Sequence, residues 1–428
     1  MAYSTNDAKP LLAVISQGCA ANFGDGEKIA RVFADDYCVV FGLPETKTNE
    51  AQLPQAFVLN VCTVKGNAGA LKLLREAINS APEAKLFITG CAPRDFREEV
   101  AKITDKAVFT SLKKLQAKDC HAPNGARDDG MLRESPLVGI VNIEEGCLDA
   151  CAYCSTRLVK GRLHSYPAAD IVQQVKGLVN DGCIEIQLTG QDCGCYGFDT
   201  GTNLAELVQQ ILAEVPGNYK IRLGMGNPRH MMQYPDKLIE CFKDERVYKF
   251  IHLPVQSGSD SVLKAMNRKH SAQDYIDLAE TFNKKFPLFT LSTDLIVGFP
   301  GESEQDFQET LDVLNKTRPT VCNITRFVAR PNTTAYNMTG AVSDEIKHRR
   351  SAALAEAFQK IATENNSRWL GVTEPVTIEK PGYRKGSYIA RNAAYRPVAI
   401  LSETPLQPGE RFTVTITDAE PFALIASL

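Results

Sequence analysis

The sequence lacks any apolar run long enough to cross a membrane, and its first ten residues lack the apolar stretch of a secretory signal peptide. It also lacks a strong excess of either charge. The formal net charge of −3 argues against a nucleic-acid binder that is basic over its whole surface, but it permits a local basic patch. We therefore expect a cytoplasmic protein without membrane association.

Cysteine is too scarce for a disulfide scaffold: there are 13 in 428 residues, far below the ~8–10% found in short secreted scaffolds. An odd number of cysteines in a chain of this kind indicates metal binding or catalysis rather than disulfides. Some of them lie in unremarkable contexts and are expected to be small buried hydrophobes. These are Cys38, Cys120, Cys183, Cys241 and Cys322.

The length predicts two or three domains. In residues 1–125, apolar runs alternate with helical segments, which predicts a doubly wound parallel α/β domain. Its predicted strands are Leu11–Ser16, Ala56–Val61, Lys85–Thr89 and Ala107–Thr110. The polar stretch His121–Gly130, which contains Gly and Pro, is a candidate linker.

Six further βα units follow in residues 133–366 and predict a partial (βα)6 barrel. Their strands are expected to start near Leu137, Glu185, Lys220, Lys249, Phe289 and Val321. Residues 367–428 contain short segments rich in β-branched residues, separated by Pro and Gly, which predict a small all-β barrel.

A cysteine triplet comes directly after the first strand of the predicted (βα)6 barrel. Cys147, Cys151 and Cys154 form a C-x₃-C-x₂-C loop. Three thiolates at this spacing can hold three irons of a [4Fe–4S] cluster, and without a fourth nearby Cys one iron stays open for a ligand. A structural zinc site is the alternative, but it requires four ligands, and His164 follows no zinc-finger spacing.

A second set of cysteines is scattered in sequence. Cys19, Cys62 and Cys91 each lie at the carboxyl end of a predicted parallel strand. Such ends line one edge of a doubly wound sheet, where ligands bind. Each alone could be an ordinary buried Cys, but together they predict a second set of three converging thiols.

With Tyr153 before its last Cys, the central triplet resembles the signature of the radical S-adenosylmethionine superfamily. The resemblance implies a [4Fe–4S] cluster on Cys147, Cys151 and Cys154 whose open iron binds S-adenosylmethionine, and cleavage of that cofactor to a 5′-deoxyadenosyl radical. It also implies cofactor contacts in the loops that follow successive strands, although each loop could be an ordinary βα turn. The candidate cofactor-binding residues are Tyr153, Gln191, Gln256, Ser257 and Gly298.

The sequences around Cys19, Cys62 and Cys91 are similar to the N-terminal domain of the methylthiotransferases, a branch of these radical enzymes. The resemblance implies a second, auxiliary [4Fe–4S] cluster on these three cysteines, whose open iron holds the sulfur to be transferred. It also implies an external electron donor and a sulfur source. Cys193 and Cys195 could add a ligand or relay sulfur, but we favour an accident of a polar loop.

The segment Lys380–Arg396 has five basic residues, three tyrosines and no acid. A basic stripe with interleaved aromatics can follow a phosphate backbone and stack on bases, although a solvated hairpin is the alternative. The tail is similar to the TRAM domain, which implies that it binds RNA or protein. The candidate tRNA contacts are Lys380, Arg384, Lys385 and Arg391.

The residues around the central triplet and at Arg222–Pro228 resemble the archaeal and eukaryotic branch that acts on N6-threonylcarbamoyladenosine in tRNA. The chain departs from it at Asn332 and Thr334, where the family usually has Gly and Pro. The resemblance implies a 2-methylthio product at the adenosine just 3′ of the anticodon. Arginines can bind the threonylcarbamoyl carboxylate as bidentate pairs, and the candidates are Arg157, Arg162 and Arg330.

Other hypotheses remain open. Methylthiotransferases also act on N6-isopentenyladenosine in tRNA or on an aspartate of a ribosomal protein. A non-catalytic iron–sulfur protein that binds RNA or transfers electrons is disfavoured, because closed Cys₄ ligation would serve either task and both triplets look open. A monomer is expected.

Overall fold

The computed structural model describes residues 9–43, 53–63, 67–116 and 132–428. The chain divides into two compact units. The first runs to Pro136 and also includes Ser155–Gly161; the second comprises Leu137–Cys154 and Arg162–Leu428. The candidate linker His121–Gly130 and Cys120 lie outside the described residues, and the proposed boundary between residues 366 and 367 falls inside the second unit.

The first unit contains a five-stranded parallel sheet with strand order β2-β1-β3-β4-β5. Its elements are β1 (Leu11–Ser16), α1 (Ala20–Phe33), β2 (Cys38–Phe41), β3 (Ala56–Cys62), α2 (Ala68–Ser80), β4 (Lys85–Cys91), α3 (Arg94–Ala101), β5 (Ala107–Phe109) and α4 (Leu112–Gln116). The predicted strands are present, and β2 is an additional edge strand.

Both faces of this sheet are covered. Phe57 and Leu59 of β3 pack in one apolar cluster with residues of α2 and α3, whereas Ala56 and Val58 pack in another with residues of α1 and α4. Successive side chains of a strand point to opposite faces, so β3 is apolar throughout its length. The doubly wound architecture predicted for this region is confirmed.

The second unit begins with the βα part of the chain. Its elements, with α5 belonging to the first unit, are β6 (Val138–Asn142), β7 (Glu144–Glu145), α5 (Thr156–Lys160), β8 (His164–Ser165), α6 (Ala168–Asn180), β9 (Glu185–Thr189), α7 (Leu204–Glu214), β10 (Lys220–Leu223), α8 (Pro228–Met231), α9 (Pro235–Lys243), β11 (Phe250–His252), α10 (Asp260–Ala265), α11 (Ala272–Lys285), β12 (Thr290–Val297), α12 (Glu304–Thr317), β13 (Val321–Arg326) and α13 (Asp344–Ser367).

Six parallel strands of this unit lie in two sheets of three, with orders β10-β9-β6 and β11-β12-β13. The two sheets are joined where Ile221 forms a parallel bridge with Val247 and where the Gly226 N–H donates to the His252 carbonyl at 3.0 Å. The six strands therefore follow one another in chain order. This is the partial (βα)6 barrel that the sequence predicts.

The C-terminal strands form a closed barrel with order β14-β15-β16-β18-β17. They are β14 (Thr373–Pro381), β15 (Ser387–Asn392), β16 (Pro397–Leu401), β17 (Arg411–Glu420) and β18 (Ala423–Ser427). Inward-facing residues such as Val376, Ile400 and Leu424 fill the barrel together with Trp369. None of the helices in the described ranges combines the length and apolar character of a membrane span.

The cysteines expected to be buried differ in their surroundings. Cys183 and Cys241 are buried, and Cys322 is half-buried. The prediction is wrong for Cys38, which is exposed because it starts the edge strand β2.

Candidate functional site

The central cysteines lie in one loop after β7, and each is partly exposed. Burial raises the pKa of the Cys147 thiol well above its usual range, and the negative charges of Asp192, Cys151 and Cys154 raise it further. The three thiols are therefore close enough to interact electrostatically. A metal that takes thiolate ligands removes the cost of deprotonating them.

A buried arginine lies beside this loop. Arg268 is 8% exposed and donates to the Cys151 sulfur at 3.7 Å and to the Pro254 carbonyl at 2.6 Å. Its Nε has no hydrogen-bond partner among the described residues. A buried cation facing a thiol favours the thiolate. Three thiols and a compensating guanidinium fit three corners of a [4Fe–4S] cluster.

Backbone hydrogen bonds hold the loop on two sides. The Ala152 N–H donates to the Met266 carbonyl at 2.9 Å, and the Ala152 carbonyl accepts from the Ala335 N–H at 2.8 Å. A third contact comes from Gln191, whose side-chain oxygen accepts from the Gly146 N–H at 2.7 Å. Gln191, predicted to bind the cofactor, thus also positions the residue before Cys147.

The other candidate cofactor residues have structural partners of their own. Tyr153 is half-buried and packs with Ala152 and Met266 in one apolar cluster. Gln256 has a φ of 78°, and both its backbone N–H and its carbonyl form hydrogen bonds with the backbone of β12. Ser257 is fully buried, with its hydroxyl 3.2 Å from that of Thr310, so it lies inside the fold rather than at an open surface.

The turn at Gly298 needs glycine. Its φ is 76°, and a Cβ there would lie 2.3 Å from Cγ of Lys347. The Gly298 N–H donates to Glu302, which also accepts from Arg350 of α13 at 2.7 Å inside the protein. Sequence reasoning missed Arg350 because it lies 48 residues from its partner and in no motif.

Cys193 and Cys195 are both fully buried, in a short turn after β9. The Cys193 sulfur faces the Leu188 carbonyl at 3.8 Å. Burial raises the pKa of the Cys195 thiol well above its usual range, and the carboxylates of Asp192 and Glu144 raise it further. Without a metal ion, these surroundings disfavour the free thiolate that a sulfur relay requires. The turn is buried rather than a polar surface loop.

In the first unit, the scattered cysteines converge. Cys62 and Cys91 occupy paired positions on β3 and β4, and Cys19 directly precedes α1. A hydrogen bond with Cys62 and then burial raise the pKa of Cys91, which the charge of Cys19 raises further. Gly18 has a φ of 114°, and a Cβ there would lie 2.4 Å from Cβ of Cys62, so glycine permits this close approach.

Two asparagines support this arrangement. Asn22 donates to the Val61 carbonyl at 3.0 Å, and Asn60 donates to the Asn22 carbonyl at 2.5 Å. Both amides are buried, so the backbone next to Cys19 and Cys62 is fixed. The chemistry of three adjacent thiols again fits three corners of a [4Fe–4S] cluster.

Helix α5 contributes to the first unit. Its Lys160 forms an ion pair with Asp25 at 2.9 Å, and the positive charge of Lys160 offsets part of the rise in the pKa of Cys91. The candidate substrate residue Arg157 lies half-buried in the same helix.

The other two candidate substrate arginines belong to the second unit. Arg162 is exposed and forms a backbone bridge with Cys147. Arg330 is half-buried, and its carbonyl accepts from the Thr333 hydroxyl at 2.7 Å. Arg162 is therefore the candidate that the described backbone places directly beside a cysteine of the central triplet.

The basic stripe divides into two parts. Lys380, Arg384 and Lys385 are exposed where β14 turns into β15. Arg391 instead forms a two-pronged ion pair with Glu379, at 2.8 and 2.7 Å, and its guanidinium lies 4.5 Å from the centre of the Tyr395 ring. The structure does not support Arg391 as an RNA contact, because an intramolecular carboxylate occupies its guanidinium.

Residues 141–314 match the model of the Radical SAM superfamily, and residues 368–428 match that of the TRAM domain. The chain is 33% identical, over 96% of its length and 97% of the relative, to a Methanothermobacter thermautotrophicus protein named "Probable threonylcarbamoyladenosine tRNA methylthiotransferase". It is 32% identical, over 94% of its length and 71% of the relative, to the Homo sapiens threonylcarbamoyladenosine tRNA methylthiotransferase.

The fold is similar to that of the radical S-adenosylmethionine methyltransferase TsrM from Kitasatospora setae. The TM-score is 0.54 over 77% of each chain, at 11% identity. At this identity the likeness concerns the fold alone. The matches to the family models confirm the resemblances of the central region and of the C-terminal barrel.

Proposed function

Because the chain belongs to the threonylcarbamoyladenosine tRNA methylthiotransferase family, we propose that it converts N6-threonylcarbamoyladenosine in tRNA to its 2-methylthio derivative at the adenosine just 3′ of the anticodon. One observation carries the proposal: each of the two units brings three thiols together, at the edge of the parallel sheet in the first unit and in the loop after β7 in the second. Radical methylthiolation needs two metal centres with different tasks, and the chain has a set of ligands for each.

The cofactors are S-adenosylmethionine and two [4Fe–4S] clusters, one on Cys147, Cys151 and Cys154 and one on Cys19, Cys62 and Cys91. When bound, the first would supply the electron that cleaves S-adenosylmethionine, and the second would supply an iron site for the sulfur that is transferred. An external electron donor and a sulfur source complete the reaction. We also propose that the protein is a cytoplasmic monomer.

The residues of the second unit orient and shield the first of these sites. Gln191 and the backbone of Ala152 fix the loop, and Arg268 balances the charge of its thiolates. Tyr153 and Met266 cover the loop with apolar surface, which limits the entry of water. The proposed cofactor contacts are Tyr153, Gln191, Gln256, Ser257 and Gly298.

Recognition of the substrate would use arginine for the threonylcarbamoyl carboxylate and the C-terminal barrel for the tRNA backbone. Arg162 is supported by its backbone bridge with Cys147, with Arg157 and Arg330 as the other candidates. Lys380, Arg384 and Lys385 are exposed on one turn of the barrel, where phosphates can reach them.

The test supplies the reconstituted enzyme with S-adenosylmethionine, a reductant, a sulfur source and one of three tRNAs. These carry threonylcarbamoyladenosine, isopentenyladenosine or unmodified adenosine at the position 3′ of the anticodon. Mass spectrometry of the nucleosides should show a 2-methylthio product from the first tRNA only. Preferential methylthiolation of the isopentenyl form would overturn the assigned substrate, and absence of S-adenosylmethionine cleavage would favour a non-catalytic iron–sulfur protein.

A further inference from the structure

Three side chains of metal-binding type meet in the second unit, apart from the two cysteine triplets. Asp192, Cys195 and His230 each offer a ligand atom, and these atoms all lie within 4.8 Å of one another. None of the three residues is more than 3% exposed. Buried groups of this kind are normally paired or bound to a metal.

Short, well-anchored segments hold these residues. Asp192 precedes the turn Cys193–Cys195, and His230 lies in α8. One carboxylate oxygen of Asp192 accepts from the backbone N–H groups of Gly194 at 3.1 Å and Asn227 at 2.8 Å. This fixes the carboxylate and leaves its other oxygen facing Nδ1 of His230 at 3.0 Å.

The imidazole of His230 faces two carboxylates. Its Nδ1 is 3.0 Å from Asp192, and its Nε2 is 3.4 Å from Asp149 without a hydrogen bond of good geometry. A neutral imidazole has only one N–H, so it cannot donate to both. A metal cation bound at one nitrogen, with the N–H of the other nitrogen donating, satisfies both carboxylates.

The balance of charge favours a cation. Asp149 already accepts from Arg229 and from the Asn227 side chain, whereas the side chain that faces the Asp192 carboxylate is that of His230. A divalent cation would offset the negative charge of the Asp192 carboxylate and of a Cys195 thiolate in this buried site.

We propose that Asp192, Cys195 and Nδ1 of His230 bind one Zn²⁺ ion, with the fourth position left for water. Sulfur, imidazole nitrogen and carboxylate oxygen together are a ligand set that suits zinc. The ligand atoms of one tetrahedral zinc lie roughly 3.5 Å apart. Small side-chain rotations would bring the three ligand atoms from within 4.8 Å to that separation. Asp149 would then accept from Nε2–H and orient the ring from outside the site.

The site has a structural consequence for the radical centre. It joins the turn after β9 to α8, and through Asp149 it reaches the loop between Cys147 and Cys151. Zinc would therefore stiffen the loop that carries the central triplet without being one of its ligands.

The test adds Zn²⁺ alone to the cluster-reconstituted protein, removes the excess, and measures iron and zinc by mass spectrometry and the zinc ligands by X-ray absorption at the zinc edge. We expect one zinc per chain, about one sulfur ligand and unchanged iron. Cys195→Ala and His230→Ala should each lose the zinc, while the matched control Cys193→Ala should keep it.

Three results would overturn the proposal. They are the absence of zinc from the wild-type protein, zinc with three sulfur ligands, and equal zinc content in Cys195→Ala. Three sulfurs would instead place the metal on a cysteine triplet, and the absence of zinc would leave the three side chains as an internal polar cluster. Circular dichroism and iron content establish that each variant is folded.

Discussion

Arg350 is buried at 3% exposure, and its charge is balanced by the equally buried Glu302. Replacing Arg350 by Met keeps the length of the side chain but leaves a buried carboxylate unpaired, and one oxygen of that carboxylate already lacks a partner. We expect Arg350→Met to lower the free energy of unfolding by about 3–5 kcal/mol, measured by urea denaturation.

The neighbouring arginine provides the control. Arg349 is exposed and pairs with the exposed Glu304 at 2.8 Å. Because surface ion pairs contribute little, Arg349→Met should have a much smaller effect. Equal destabilisation by the two variants would contradict a specific role for the buried pair.

Asn332 and Thr334, where the chain departs from the family pattern, fit the local backbone. Asn332 has a φ of 66°, a conformation that Gly adopts freely and Asn tolerates, and Thr334 begins a short 3₁₀ helix, a position that suits Pro. We expect the double variant Asn332→Gly, Thr334→Pro to be at least as stable as the wild type in thermal denaturation. Asn332→Val should cost about 1–2 kcal/mol, and a tolerated Val would contradict the left-handed backbone.

At the scale of elements, the turn between β14 and β15 carries the exposed charges of the barrel. Replacing Lys380, Arg384 and Lys385 by Ala should weaken tRNA binding and reduce its salt dependence by roughly one unit of slope per lost phosphate contact. Fluorescence anisotropy at several salt concentrations measures both. Arg391→Gln is the control: because Glu379 occupies this guanidinium, the salt slope should stay unchanged.

Strand β14 also contains a pH-sensitive carboxyl. Burial raises the pKa of Glu374 to about 7, against the lowering effect of its hydrogen bond from Asn392. The folded barrel therefore favours the neutral acid, while the unfolded chain ionises near 4.5. The contribution of Glu374 to the free energy of unfolding is fully present below pH 4.5 and is lost as the pH rises to about 7. The loss is at most ~1.4 kcal/mol per pH unit.

Glu374→Gln removes this titration. The ratio of the hydrogen-exchange rate of the variant to that of the wild type, measured in β14 and β15, should fall as the pH rises from about 5 to about 8. The reason is that only the wild type loses stability as Glu374 ionises. A difference that stays constant over that range would show that Glu374 does not titrate as expected.

The elements that the sequence predicted best have strong local signals. Helix α11, for example, starts with a capping box between Ser271 and Asp274. The edge strand β2 was missed because its residues, one exposed and three half-exposed, carry little periodicity. The parallel pairing of β18 with β16 is set only by barrel closure. Local patterns cannot specify pairings of this kind.

At the scale of the whole molecule, both thiol sets were predictable for different reasons. The central triplet follows from spacing, whereas Cys19, Cys62 and Cys91 follow from topology, because parallel strands end at the same edge. Side-chain contacts between distant residues were not predictable: Arg268 reaches Cys151 of the central triplet and Arg350 reaches Glu302, each more than 40 positions away. Both contacts depend on burial, which a single sequence does not reveal.

The two thiol sets give the last prediction, which concerns metal content. Reconstituted wild-type protein should hold about eight irons, four for each [4Fe–4S] cluster. Replacing Cys147, Cys151 and Cys154 together by Ala should leave about four irons and abolish cleavage of S-adenosylmethionine. Iron analysis and Mössbauer spectroscopy measure the loss.

The complementary variant separates the two sets. Replacing Cys19, Cys62 and Cys91 together by Ala should also leave about four irons, but cleavage of S-adenosylmethionine should continue while methylthiolation stops, because only the sulfur-carrying site is lost. Cys38→Ala, at an exposed position on the sheet edge, should keep all the iron. If either triple variant retained both clusters, that set of cysteines would not be the ligand set, since a [4Fe–4S] cluster does not survive the loss of all three protein thiolates.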